Sequence, residues 1–204
     1  MEHYFTNNEN LKSDFRTIIY KYGDETLEFT SDLGVFSKDK VDFGSRLLME
    51  TYFKRGRKDV TLLDVGCGYG IMGISLSKIM GTKSTLIDVN KRAVHLSKMN
   101  IKANKVDAVA FESNIYENVT EKYDVIITNP PIRAGKQTVM TFLTGAKEHL
   151  AQNGELWIVI RKDQGAKSAM EKLKDIYDLE VVETSKGFFI IVAKSYCHLL
   201  KLKI

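Results

Sequence analysis

Two prolines stand side by side at positions 130 and 131, and they are the only prolines in the chain. They follow the strand-like run Asp124-Val125-Ile126-Ile127-Thr128 and then Asn129. Proline fixes φ, has no N–H and keeps the residue before it out of the helical region, so Asn129-Pro130-Pro131 reads as a stiff loop with outward carbonyls. The Pro130 carbonyl and the Asn129 side-chain oxygen can then both accept hydrogen bonds from one NH2 group. An aromatic or amide NH2 is a poor nucleophile because its lone pair is delocalised. Two acceptors on its hydrogens favour the pyramidal nitrogen and stabilise the positive charge that grows as a methyl group arrives. The plainer alternative is a strand-ending turn without chemistry.

A second cluster precedes it. Asp64-Val65-Gly66-Cys67-Gly68-Tyr69-Gly70 follows an apolar strand and opens a helix, the place where open α/β sheets bind ligands. Asp88 ends the next strand, where its carboxylate can accept both hydroxyls of a ribose. The pair implies a cofactor containing adenosine. Gly68-Tyr69-Gly70-Ile71-Met72-Gly73 also spells the GxGxxG of dinucleotide sites, so the loop alone leaves two cofactors open. Asp64 favours the cationic ammonium and sulfonium of S-adenosyl-L-methionine over a pyrophosphate.

The order Asp64-Val65-Gly66-Cys67-Gly68-Tyr69-Gly70, Asp88-Val89-Asn90, Asn129-Pro130-Pro131 resembles class I S-adenosylmethionine-dependent methyltransferases that modify planar NH2 groups. More narrowly, Gly34-Val35-Phe36-Ser37, the string Asn129-Pro130-Pro131-Ile132-Arg133-Ala134-Gly135-Lys136 and Gly154-Glu155-Leu156-Trp157 are similar to the small-subunit ribosomal RNA guanine-N2 methyltransferases of the methyltransferase C type. The resemblance covers roughly residues 17 to 194. It implies methyl transfer to guanine N2 in small-subunit (16S) ribosomal RNA. Asn129, Pro130, Pro131 and Ile132 would form the catalytic loop. Asp64, Gly66, Cys67 and Gly68 would line the methionine part of the cofactor, with Asp88 and Val89 at the ribose and adenine, Asn114 beside the adenine, and Asn129 touching both ligands.

Two positions depart from that pattern. Asn114 stands where many relatives carry aspartate, and it keeps an acceptor oxygen without the charge. Ile132 stands where related amino methyltransferases often carry an aromatic that stacks on the target base, so another group must cover it. Phe36 is the candidate, against an ordinary core position beside the first helix. Arg133 and Lys136 flank the proline loop and are candidates for phosphate contact. Lys54-Arg55-Gly56-Arg57-Lys58 reads first as a solvated helix end. The alternative functions are methylation of another planar NH2 group, such as a protein glutamine or adenine N6, and a non-catalytic ribosome-assembly factor that binds the cofactor.

The elements that must position these residues alternate. Strands are expected at 60–65, 83–88, 107–112, 123–128 and 154–160, and helices at 71–80, 91–103, 136–150 and 166–176. This is the rhythm of a doubly wound, Rossmann-like α/β domain. Leu179–Thr184 and Gly187–Ala193 are separated only by Ser185-Lys186, too little for a parallel crossover, so the last strand is antiparallel in a mostly parallel sheet of seven. Upstream, a polar arm to about residue 16, a β-hairpin of 17–22 and 26–30 around Gly23-Asp24-Glu25, and a helix over 41–53 are expected. The division is an extension of residues 1–40 and a methyltransferase domain of residues 41–204.

The chain has 204 residues, is 44% hydrophobic and 27% charged, and reads as a folded globular protein. Its longest apolar stretch, Phe188 to Ala193, is far below the roughly 20 residues of a membrane span. Cys67 and Cys197 are the only cysteines, which suits a reducing cytoplasm. His3, His95, His149 and His198 lack metal-ligand spacing, so no metal is expected. A net charge of +4 permits an RNA partner without demanding one. The expected partner is ribosomal RNA or the small ribosomal subunit, with no membrane, and the chain is expected to be a monomer or weak homo-oligomer.

Overall fold

The computed structural model describes residues 12–195. Residues 1–11 of the expected arm, His3, Cys197 and His198 lie outside the described residues. Strands β1 (Arg16–Tyr22) and β2 (Glu25–Ser31) pair antiparallel about a turn at Gly23. Ile18, Tyr20, Leu27 and Phe29 of this hairpin are buried in one core with helices α1 (Phe43–Arg55), α2 (Ile71–Met80) and α3 (Lys91–Asn104). The outer edge of β2 meets α3 in place of a strand. Asn100, on α3, accepts from the Thr30 N–H at 2.8 Å and donates to its carbonyl at 2.9 Å. Asn104, one turn on, does the same at Glu28. Two side-chain amides thus satisfy backbone groups that a strand edge would leave open.

The main sheet has the order β5-β4-β3-β6-β7-β9-β8. Strands β3 (Thr61–Val65), β4 (Lys83–Asp88), β5 (Ala108–Glu112), β6 (Tyr123–Thr128) and β7 (Leu150–Arg161) are parallel. Strand β9 (Phe188–Ser195) runs antiparallel to both β7 and β8 (Tyr177–Ser185). The reversed last strand is therefore present, and it sits between β7 and β8 instead of at the edge. The reason lies in the residues: Ile190-Ile191-Val192-Ala193 is apolar on both faces and buried, whereas β8 carries Glu180 and Glu183 on an exposed edge.

Helices α4 (Lys136–His149) and α5 (Ala166–Leu173) cover the face opposite α1, α2 and α3. Side chains of β3 alternate between these layers, Leu62 toward α2 and Leu63 and Val65 toward α4. Several boundaries differ from expectation. Helix α1 starts at Phe43 because Asp42 caps it, accepting from the Ser45 N–H at 3.0 Å, and its buried stripe runs through Leu48, Met49 and Tyr52. Strand β7 begins at Leu150, which pairs with Tyr123, and α5 ends at Leu173. No helix of the described residues is long and apolar enough to cross a membrane.

Candidate functional site

Strand order reverses between β3 and β6, which opens a crevice at the C-terminal ends of these parallel strands. A cavity of about 270 Å³ occupies it. Its wall brings together the glycine loop, the end of β4, the loop after β5, the proline loop and the segment before α1. Gly66, Cys67, Gly68, Asp88, Val89, Asn114, Asn129, Pro130, Pro131 and Phe36 all line it. Asp64, Ile132, Arg133 and Lys136 do not.

On the glycine side the backbone does most of the shaping. Gly68 has φ +58°, and a Cβ there would meet nothing within 4 Å, so this turn leaves room on the cavity wall. Gly70 has φ +93°, and a Cβ there would lie 2.7 Å from Ile74 and 3.0 Å from Leu86. One glycine clears space and the other permits close packing. Asp88 accepts from the Gly68 N–H and the Asn90 N–H, both at 2.9 Å, so one carboxylate joins two ligand loops. Each oxygen keeps acceptor capacity toward the cavity, which fits a vicinal diol. Burial raises the Asp88 pKa to about 6, partly opposed by the N–H groups of Asn90, Gly68 and Val89. Burial likewise pushes the Cys67 thiol up, leaving it a small, unreactive wall group.

Asp64 has a different place. It shares the α2 side of β3 with Leu62 and is fully buried. One oxygen accepts from the Gly73 N–H at 2.8 Å, in the first turn of α2, whose own N-cap, Gly70, has no side chain to offer. The other oxygen has no hydrogen-bond partner among the described residues. Burial, with a smaller contribution from Asp88, raises its pKa to about 7 against the pull of the Gly73 N–H. Its direct role is to hold the helix start on which the glycine loop rests.

On the proline side, Thr128 Oγ1 donates to the Val65 carbonyl at 2.9 Å, tying the splayed strand ends together. Asn129 Nδ2 donates to Asp42 Oδ1 at 3.2 Å and to Ser45 Oγ at 3.0 Å. Both amide hydrogens are engaged, and the side-chain oxygen remains to accept. Among the described residues the Pro130 carbonyl takes no backbone donor, whereas that of Pro131 accepts from Ala134 N–H at 2.9 Å in a following 3₁₀ turn, Ile132–Ala134. That turn carries Ile132 against a second, smaller cavity of about 170 Å³, shared with Lys136, Met140 and Gln164. Arg133, in that turn, and Lys136, at the start of α4, are both exposed.

Phe36 is 39% exposed on the cavity wall, so it is not a core residue. Its loop is anchored by Asn90 Nδ2, which donates to the Gly34 carbonyl at 3.0 Å, and by the Arg92–Asp32 ion pair at 2.9 Å. Lys54-Arg55-Gly56-Arg57-Lys58 lies at the other end of the sheet, where Arg57 meets Asp124 at the start of β6 at 3.6 Å. Asp42 and Ser45 are cavity residues that sequence reasoning missed, and Asn90, read only as part of Asp88-Val89-Asn90, proves to be an anchor of the Phe36 loop. The Asp-x-x-Ser pattern at the start of α1 signals a helix cap, but nothing local links it to Asn129. Among the described residues, no group of three or more His, Cys, Asp or Glu gathers as a metal site requires.

The chain is 45% identical over 198 residues to the uncharacterised protein YbxB of Bacillus subtilis, covering 95% of this chain and 98% of that one. It is 42% identical over 138 residues to ribosomal RNA small subunit methyltransferase C of Serratia proteamaculans, covering 65% of this chain and 39% of that protein. It therefore spans about two fifths of that relative's length. Among solved structures, the T. thermophilus 16S rRNA N2 G1207 methyltransferase, solved with AdoMet and guanosine, superposes with a TM-score of 0.81 at 23% identity, covering 89% of this chain and 51% of that one. At that identity the likeness bears on the fold. The methyltransferase small domain model matches residues 26–192, from the second hairpin strand through both cavity loops to the last strand. A single family pattern thus accounts for both walls of the crevice, and the chain belongs to the methyltransferase small domain family, which works with S-adenosylmethionine.

Proposed function

We propose that this protein methylates the exocyclic N2 amino group of a guanine in small-subunit ribosomal RNA. The observation that carries the reading is the acceptor pair at the proline loop. Asn129 gives its own NH2 to Asp42 and Ser45 and keeps its oxygen as an acceptor, and the adjoining Pro130, with a carbonyl open to a donor, lines the same cavity. Such a pair suits a planar NH2 donor. The name of the Serratia relative points to small-subunit ribosomal RNA as the carrier of that group.

When bound, S-adenosylmethionine supplies a methyl group activated on a sulfonium. In this reading Gly66, Cys67 and Gly68 hold its methionine part, Asp88 accepts from the ribose hydroxyls, and Val89 and Asn114 meet the adenine. Asp64 acts only through the first turn of α2. Asn129 Oδ1 and the Pro130 carbonyl hold the two amino hydrogens of guanine and direct the nitrogen lone pair into the cavity. They stabilise the positive charge as the N–C bond forms and the sulfonium S–C bond breaks to leave a thioether, and the surplus proton passes to water. The target base must leave its stack to reach this wall. Phe36 offers the apolar face that Ile132, turned to the second cavity, does not. Arg133 and Lys136 meet flanking phosphates. The work belongs in the cytoplasm.

Nucleoside mass spectrometry of ribosomal RNA from cells with and without the protein tests the reading. N2-methylguanosine should fall in small-subunit RNA and return with the wild-type protein. Asn129→Ala should not restore it, since kcat should drop by about 100-fold, the scale for losing one preorganised hydrogen-bonding group. Disappearance of a different methylated nucleoside, or of none, overturns the guanine-N2 assignment.

A further inference from the structure

The proline loop is held by a helix from another part of the chain. Asp42 lies before α1 and its Oδ1 accepts twice, from the Ser45 N–H that starts the helix and from Asn129 Nδ2. Ser45 Oγ accepts the second Asn129 hydrogen. Asp42, Ser45 and Asn129 all line the main cavity. We infer that Asp42 and Ser45 are positioning residues that set the acceptor strength and orientation of Asn129 for methyl transfer, an inference that rests on the reading above.

Two physical effects follow from the contacts. An amide can turn over about its last side-chain bond, exchanging oxygen for NH2. Turned over, Asn129 would aim its oxygen at the oxygens of Asp42 and Ser45 and present N–H groups to a substrate that is itself a donor. The Asp42 carboxylate, which only accepts, disfavours that state, while the Ser45 hydroxyl can serve either orientation. The Asp42 carboxylate also draws on the N–H and shifts charge onto Oδ1, because hydrogen bonds in a chain polarise one another in a low-dielectric site. The strengthened oxygen faces the amino nitrogen as it becomes cationic. No proton moves along the relay. Asp42 serves at once as helix cap and as anchor for a residue 87 positions away, so the start of α1 and the reacting end of β6 are set together.

The test is a double-mutant cycle read in kcat, KM, cofactor affinity and Tm. Asp42→Asn keeps a good helix cap and an acceptor oxygen but removes the charge. It should lower kcat for RNA methylation by about tenfold, with KM, cofactor Kd and Tm near wild type. Ser45→Ala leaves the backbone cap intact and should lower kcat by roughly fivefold for the lost acceptor. In an Asn129→Ala background, Asp42→Asn should change the residual rate by less than about twofold, since a residue acting through Asn129 has nothing left to act on. Wild-type kcat in both single variants overturns the inference. So does an undiminished effect of Asp42→Asn in the Asn129→Ala background, or a loss that tracks Tm alone. Full activity of Asn129→Ala would instead remove the catalytic reading itself, a result separable from failure of the relay.

Discussion

The two walls of the cavity are built differently. The glycine wall is assembled from neighbours in sequence: Asp64, the 66–70 loop, the first turn of α2 and Asp88 lie within one βαβ unit and bond to each other. The proline wall is assembled across the chain, because the partners of Asn129 are 84 and 87 residues away, at the cap and first turn of α1. Its rim carries exposed cations instead of buried carboxylates. A wall that must hold one invariant small molecule can be local and tightly packed. In the proposed function the proline wall meets a macromolecule and must stay open, and Asn129 takes its rigidity from elsewhere in the fold.

Breaking the glycine wall should cost most. Gly70→Ala places a methyl 2.7 Å from Ile74 Cδ1 and forces a non-glycine residue to φ +93°. It should destabilise the protein by about 3 kcal/mol, combining overpacking with backbone strain. Denaturant unfolding checks this, and a wild-type midpoint would show that the loop yields easily.

The buried acids should make that wall sensitive to pH. Asp64 and Asp88 have pKa values of about 7 and about 6 in the folded protein, above their unfolded values, so the folded state holds their protons more tightly. Their contribution to stability is complete below about pH 4 and is lost as pH rises through 6 to 7. The cofactor-free protein should lose roughly 4 kcal/mol between pH 5 and 8 from this source, the larger share from Asp64. Asp64→Asn, which can still accept from the Gly73 N–H, should flatten the profile. Melting scans in which wild type and Asp64→Asn run parallel across that range would remove Asp64 as the origin.

A smaller effect is expected within the ligand contacts. Asp88→Ala should weaken S-adenosylhomocysteine binding by about 1.5 kcal/mol, the lower end for hydrogen bonds to a charged group, with RNA affinity retained. Calorimetry giving an unchanged cofactor Kd would take Asp88 out of the site.

The smallest change should come from the proline rim. Arg133→Ala or Lys136→Ala should weaken RNA binding with little regard to sequence and reduce the magnitude of the log-affinity against log-salt slope by roughly 0.7 to 0.9. Cofactor affinity should be untouched. Unaltered slopes in both variants would move the RNA face away from this rim and leave the two walls less distinct than they look.

Much of the site was legible because its parts are local. The glycine spacing, the acid at the end of β4 and the paired prolines each announce a strand end, and strand ends of a parallel sheet meet on one side. The reversed final strand was legible too, since a two-residue connection permits nothing else. Its insertion between β7 and β8 was not, because a turn fixes direction while the competition for the buried position is settled by which strand is apolar on both faces. The resemblance implies cavity places for Asp64 and Ile132, and each is turned aside by its element: one by the pleat of β3, the other by the 3₁₀ turn after Pro131.

By itself the sequence determined the alternating α/β order, the hairpin, and the two loops that end β3 and β6, because propensity, alternation, glycine and proline act over a few bonds. Only the tertiary structure decided that α1 reaches across to Asn129, that Asp88 ties two loops together, and that Phe36 stands on the cavity wall. The Asn129 contacts join side chains 84 and 87 residues apart, and the Asp88 contact with the Gly68 N–H spans 20. Their pairing is selected by the packing of whole elements, which no local pattern encodes.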